Sequence, residues 1–545
     1  MGLGVLDVKS TTHVPGTAAI EDLDELNVAR KNTSGNVKYS ASGIILVPQP
    51  SDDPNDPLNL PLWRRDLLTG VLCLWSVIAS TLSPLLAADS IDLLFYYKPS
   101  QTFTGIALLT GYHLLGVGVA GFIFVASARV WGKRHLYLLG TFIIIISSIW
   151  GGASGQNYKS MVAARFFQGV GLAPFEALVN ASVGDLYFVH ERGLRMAVSN
   201  LCLFGGAFFT PVIVGTIAYN PALKWQWTFY FIAIFGAVLF PLVVLFVPET
   251  AYRRDDRTVE LSQSTDNAVE SKEALTSTEL PSTPESTTAY QPPTPPGLIS
   301  RRTLAVFTGR KTDEPFWKLL LRPFPLFFHP AVFWGMLIQG TLIGWTVFIG
   351  IIVAAIYFSP PVNLTEQQTG YLYTGAFLGA LIGFAIAGLL SYIPVWMAKR
   401  NRGIYEPEFR LILVIPMLIF GCAGLFGFGM TARGHGLIVP DVFFALEVIG
   451  MVLGAVASAL YIVDAHKDIA VEAFTCLLIF KNIFSFALTF KGYDWLIQAD
   501  IEPLFTKLGG VQVAICCTTI FLYIFGKWNR AFFARHDILK MTGLR

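Results

Sequence analysis

Apolar runs about twenty residues long recur along almost the whole chain, separated by short polar or turn-forming stretches. An α-helix rises about 1.5 Å per residue, so it needs about that length to cross the hydrocarbon of a bilayer. The pattern predicts spans at 66–88, 106–128, 135–155, 160–187, 193–218 and 227–247. After a polar gap it predicts 330–358, 368–393, 410–430, 439–463, 470–491 and 508–530. The expected fold is an all-α membrane protein with twelve transmembrane helices in two six-helix bundles, which are related as repeats. The domains follow: a disordered cytosolic arm over 1–60, bundles over 61–248 and 329–530, a cytosolic linker over 249–328 and a tail over 531–545. Within the linker, "STPESTTAYQPPTPPG" is too rich in Ser, Thr and Pro to fold alone. The following "EPFWKLLLRPFPLFFHP" mixes aromatics with Lys318 and Arg322, as a helix lying at the membrane surface does.

Composition agrees. Charged residues make up 14% of the chain and mean hydropathy is +0.56, against roughly 25% charged in an average soluble domain. A net charge of +2 gives no reason to expect a nucleic-acid partner. The six cysteines show neither metal-ligand spacing nor a secreted disulfide framework, and no metal site is expected. Lys and Arg favour the loops that face the same side as both termini, which predicts termini in the cytosol. Of three Asn-x-Ser/Thr sequons, only Asn363 lies in a predicted outer loop, so modification is expected there alone.

Polar residues inside the spans are the candidate chemistry. "APFEALVN" places Glu176 in the middle of an apolar run, and glutamate is seldom fully buried without a partner. At 100° per residue, Arg165, Gly169, Glu176 and Asn180 fall within about 40° of one line on the fourth helix. Arg165 and Glu176 are separated by roughly 16 Å along the axis, too far to pair. Each must face another helix or a water-filled cavity, because facing lipid costs several kcal/mol. A carboxylate held there can bind a cation, carry a proton, or exchange one for the other; the bland alternative is a structural hydrogen bond. Glu447 and Lys481 lie in apolar runs of helices 10 and 11, where they either serve transport or form a structural ion pair. His113 in helix 2 is a proton-shuttle candidate against a structural histidine. Trp75, Tyr112, Trp345, Tyr371 and Tyr373 are candidates to line a cavity.

Several longer strings carry a resemblance. "LVPQPSDDPNDPLNLPLWRR" (46–65), "RFFQGVG" (165–171), "VPET" (247–250), "RNRGIYEPEFRL" (400–411) and "YIVDAHKDIAVEAFTCLLIFKN" (461–482) resemble fungal major facilitator superfamily transporters. The branch they resemble is the drug:proton antiporter-like group that includes polyamine and cation carriers. The resemblance implies a central cavity and alternating access, with Arg165 associated with proton coupling. It also implies a gating loop between helices 2 and 3. Here "VASARVWGKR" keeps Gly132, Lys133 and Arg134, but has Val125 for the first glycine and Arg129 for the usual aspartate. Asp185, at the inner end of helix 4, is the expected partner of Arg129. The antiporter-type pattern of helix 5 is partial, with Thr210-Pro211 for Gly-Pro.

The expected function is proton-coupled transport of a small organic molecule (a drug, secreted metabolite or organic cation), with efflux slightly favoured. Proton-coupled uptake of polyamines or cations is the alternative, as is a non-transporting sensor on the same scaffold. The inner loops carry no Walker signature, so the proton gradient, with no cofactor, is the expected energy source. "DAHKD" (464–468) reads as a solvated turn, and no catalytic residues are expected. A monomer in the plasma membrane is expected, with a vacuolar location as the alternative.

Overall fold

Pro61 starts the first long helix, Leu62–Thr81, and Pro84 lies in the turn beyond its end. In this computed structural model the described residues are 48–253, 303–358, 362–433 and 436–545. Short pieces of the arm (3–6, 14–19, 38 and 46) and linker positions 290, 293, 294, 297 and 300 are described as well.

Among the described residues, eleven helices are long and apolar enough to cross a membrane. Leu62–Thr81 is the twelfth; Arg64, Arg65 and Asp66 charge its first turns. It ends seven residues before the predicted boundary at 88, and a separate helix, Ser90–Tyr97, fills what the sequence presents as an outer loop. Spans 2 and 3 are Phe103–Trp131 and Arg134–Gly152. Span 4 is Tyr158–Ala177, continued by Val179–Leu186; Pro174 lacks an amide hydrogen, and the helix is interrupted at Leu178. Spans 5 and 6 are Val189–Ala218 and Gln226–Phe246, and span 7 is Pro330–Phe358. Span 8 is broken into Glu366–Tyr371, Thr374–Leu390 and Ile393–Arg400. Span 9 winds as 3-10, α and π turns over Pro407–Cys422 before Ala423–Thr431. Spans 10, 11 and 12 are Ile438–Ala465, Ala470–Ala499 and Ile501–Arg535.

Each half has its own apolar core, around Leu72, Trp75 and Phe229 in the first and Leu342, Ile349 and Leu453 in the second. The halves meet along two seams. On one, Gly111, Gly118 and Gly121 of span 2 let its backbone approach Thr489, Asn482 and Leu478 of span 11. On the other, Pro211 and Gly215 of span 5 abut Gly370 and Glu366 of span 8, and the Phe209 ring meets Phe377 tilted, with centroids 5.2 Å apart. Span 2 meets span 11 as span 8 meets span 5, the exchange expected of two repeats about a pseudo-twofold axis.

The expected disorder of the arm needs correction where the arm is described. Asp56 accepts from the Ser51 and Leu58 amides at 2.9 and 3.1 Å, and Asn59 donates to the Ser51 and Asp53 carbonyls, both at 2.8 Å. These Asx bonds give a polar, proline-rich segment a structure that composition alone does not reveal. Further upstream, β1 (Ala18–Ala19) pairs antiparallel with β2 (Ile404–Tyr405), and Val5 packs on Met397 and Phe409. These two pieces, 3–6 and 14–19, therefore lie against the second bundle, on the face that carries both termini. Much of the linker's expected disorder falls at 254–289, outside the described residues. The expected linker helix is present as Phe316–Leu321 and Pro323–Leu326. Its Leu319 and Leu320 pack on Ala126 and Val130, while Trp317, Phe324 and Phe328 stay exposed.

Candidate functional site

The break in span 4 sets the site. Glu176 sits between Pro174 and the interruption at Leu178. Its carboxylate forms an ion pair with the Lys481 ammonium of span 11. That pair joins the two bundles, and it corrects the expected Glu447–Lys481 pairing. Glu176 and Lys481 keep 12% and 10% of their side-chain surface, so the pair is enclosed but not sealed off.

Both residues line a cavity of ≈170 Å³ between the halves. Its wall is mainly apolar, with Phe204, Phe208, Phe444 and Met451 prominent. Ser80, Thr346, Asn482 and Ser485 add polar atoms, and the Ser485 hydroxyl is buried with no protein partner. The arrangement can hold a small amphipathic molecule by its apolar body and offer its polar end a carboxylate. Nothing in the local sequence marks these serines; only the assembled halves bring them to one wall.

The remaining candidates lie behind the wall. Glu447 is fully buried, and both its oxygens accept from the Thr346 hydroxyl, each at 2.9 Å. Thr346 separates it from the cavity. The His113 ring bonds to Ser83, a lining residue, at 3.1 Å, while its Nδ1 has no partner. Arg165 is fully buried and donates to the Leu82 carbonyl at 2.8 Å and to Gln168 at 2.9 Å. Among the described residues no carboxylate pairs with it. Asn180 turns away, bonding Asn200 and Ser199 of span 5, each at 2.7 Å. Of the five aromatic candidates only Tyr373 lines the cavity, and its hydroxyl is committed to the Gly350 carbonyl at 2.6 Å. Trp75 instead stacks on Phe175 inside the first core, and Trp345 bonds Gln512 inside the second.

The loop between spans 2 and 3 is built around Glu249 of "VPET". Its carboxylate accepts from the Lys133 and Arg134 amides at 2.9 and 3.2 Å. Gly132 has φ +93°, and a side chain there would collide with that carboxylate. Arg134 reaches back to the Val247 and Val244 carbonyls. The expected Arg129–Asp185 pairing is corrected: Asp185 pairs with Lys133 at 2.6 Å. Arg129, one helical turn earlier, points across the seam to Glu472 of span 11. Arg322 of the linker shares Glu472 at 3.6 Å. Glu472→Gln removes the anion that holds two guanidinium groups together. The expected loss is about 1.5–3 kcal/mol, the worth of a hydrogen bond to a charged group. Hydrogen exchange at these ends of spans 2 and 11 should then quicken roughly ten- to a hundredfold; unchanged protection would show that the contact does not hold the seam.

A two-bundle, twelve-helix chain with a central cavity whose wall carries a cross-bundle charge pair is built as a membrane transporter. The Major Facilitator Superfamily pattern matches residues 67–486, and the chain belongs to that family. It is similar to Protein HOL1 of Saccharomyces cerevisiae, with 27% identity over 94% of this chain and 95% of the other. It is also similar to the citrinin biosynthesis cluster transporter mrr1 of Monascus ruber, with 24% identity over 96% and 98%. With the multidrug transporter FLU1 of Candida albicans it shares 21% identity over 87% and 73%. Among solved structures, a partially occluded inward-open form of the xylose transporter XylE from E. coli matches its fold. The TM-score is 0.54 at 12% identity, covering 84% of this chain and 98% of that one. The chain is thus a fungal-type multi-pass transporter of small solutes and not an enzyme.

Proposed function

We propose that the protein is a proton-coupled secondary transporter of small organic molecules, preferentially cationic and amphipathic ones. The observation that carries this is the Glu176–Lys481 pair, which ties the halves together on the cavity wall. A buried charge stripped of its partner costs several kcal/mol, so the pair persists until something replaces one member. A proton on Glu176 removes the attraction and frees Lys481. A cargo cation beside Glu176 does the same by standing in for the ammonium. Either event loosens the central tie between bundles that must swing apart, and the two compete for one carboxylate. That competition is the condition for exchange. Glu447, behind Thr346, is a second acid that a proton can neutralise.

Export is the favoured direction, since multidrug and biosynthesis-cluster transporters are among the relatives. Proton-driven uptake of a polyamine or other cation uses the same carboxylate and is the second reading. The proposed location is the plasma membrane, with both termini in the cytosol as the Lys and Arg distribution favours, and the protein acting as a monomer. On that topology the exposed Asn363 faces outward and is the site for glycosylation. The test is flux in sealed proteoliposomes with an imposed pH gradient, using drugs, polyamines and cationic metabolites. Cation flux should follow the gradient and collapse with a protonophore. Flux indifferent to both would remove the coupling.

A further inference from the structure

On the face away from the termini, the helix Ser90–Tyr97 contributes Ser90 to the cavity wall and forms a seal against span 7. Its Ile91 packs with Phe103 and Ala354, and Phe95 meets Phe358 of span 7 edge-on at 5.7 Å. Three carboxylates from both halves gather at this seal. Asp89 and Asp92 belong to the first half, and Glu366 opens span 8 with its backbone against Gly215. The Asp92 and Glu366 side chains lie in hydrogen-bond contact, which two carboxylates can make only with a proton between them. Asp89 is fully buried and neither of its carboxylate oxygens has a protein partner. The charges that act on it are Asp92 and Glu366, both negative. Other ionisable groups at this end are Tyr96 and Tyr97 of the same helix, Tyr357 of span 7, Asp441 of span 10, Tyr493 of span 11, which packs on Phe103, and Lys98, whose ammonium sits over the Phe95 ring at 4.4 Å. Among the described residues no group of three or more His, Cys, Asp or Glu is arranged to hold a metal.

We propose that Asp89, Asp92 and Glu366 form an outer proton-binding site, in which one proton shared by Asp92 and Glu366 holds the seal shut. When that proton leaves to water, two carboxylates face each other across the seam, with Asp89 beside them, and the seal opens. The role in transport rests on the proton-coupled reading above, but the seal itself needs neither cargo nor Glu176. Burial and the neighbouring Glu366 push Asp92 up to about 6, and burial raises Asp89 well above its ordinary range. The raised group belongs to the closed state, so closure is favoured below that value and lost as pH rises through it.

The test uses the full chain in sealed right-side-out vesicles without cargo, with Ser90→Cys on the cavity wall and native Cys517 replaced by serine. A membrane-impermeant thiol reagent is added outside, and its rate is normalised at each pH to the denatured protein. Accessibility should rise by up to about tenfold per pH unit between about pH 4 and about pH 6, then level off. Glu366→Gln keeps a hydrogen bond to Asp92 without needing the proton, so its labelling should stay slow and flat. Asp92→Asn should do the same. Wild-type labelling indifferent to pH would overturn the proposal, as would a full pH response in both variants. A response to sodium or calcium ions at fixed alkaline pH would reassign the site to a metal cation and overturn the proton. Because no flux is measured, failure here leaves the Glu176 reading intact, and failure of gradient-driven flux leaves this seal intact.

Discussion

Glu176→Gln should abolish gradient-driven flux while the protein still reaches the membrane. The amide cannot take up or release a proton, and it cannot replace a carboxylate opposite a cationic cargo. Its cost to the fold comes from the other side of the pair. Lys481 is left with no anion, and removing one member of a buried pair typically costs about 3–5 kcal/mol. Both side chains border the cavity, so water relieves part of that penalty. A low Tm in Glu176→Gln therefore says little about transport, and a second change separates the effects. Lys481→Met in the same chain removes the unpaired cation; stability should recover and flux should not. Lys481→Met alone leaves Glu176 unclaimed, so a cationic cargo should bind more tightly and turn over more slowly. Gradient-driven flux at the wild-type rate in Glu176→Gln, at every pH, would take Glu176 out of the mechanism.

Among the described residues, three contacts between ionisable groups of the two halves divide the membrane into layers. Arg129 and Glu472 meet at the face of the termini, Glu176 and Lys481 at the cavity, and Asp92 and Glu366 at the far seal. The outer two contacts differ in chemistry. An arginine–carboxylate pair holds by its opposite charges and planar fork, whereas a shared-proton carboxyl pair exists only while the proton is bound. On the proton-coupled reading proposed above, such a pairing lets proton supply bias one gate and leave the other to follow through the central tie.

How much of this was legible depends on the range over which each residue acts. The twelve helices follow from local apolar length, and Glu176 stood out because an acid in an apolar run is rare. Its partner did not, since Lys481 comes from the other half and helical register says nothing about which helix it faces. Glu447 lies nearer Lys481 in sequence, yet it turns to Thr346 of span 7. The exchange of partners at Arg129 and Lys133 has a similar cause. Gly132 and the Glu249 cap turn Lys133 toward Asp185 and leave Arg129 one turn back, facing span 11. Asp89, Asp92 and Glu366 were illegible because each reads as an ordinary loop residue until the halves are assembled.

Arg530 shows the same lesson most sharply and carries the largest expected loss of stability. In sequence it is one of several tail basics on the face of the termini; in the fold it is almost fully buried. Its guanidinium makes a two-pronged contact with Glu408, at 3.0 and 2.7 Å, and a further bond to Glu406 at 2.8 Å. It also reaches Pro15 and Thr17 of the arm. Lys527 is the other cation on Glu406, at 2.8 Å. Arg530→Ala leaves two buried carboxylates to share Lys527, and a loss of about 3–5 kcal/mol is expected. Arg530→Lys keeps the charge but not the planar fork, and should recover only part of it. Adding Glu408→Gln to Arg530→Ala should cost less than the sum of the single changes, because the stranded anion goes with it. Trimming residues 1–20 removes only the outermost contacts and should cost far less than Arg530→Ala. Thermal unfolding of the purified protein decides between a bundle clamp and an arm anchor: if trimming the arm costs as much as losing the guanidinium, the clamp belongs to the arm.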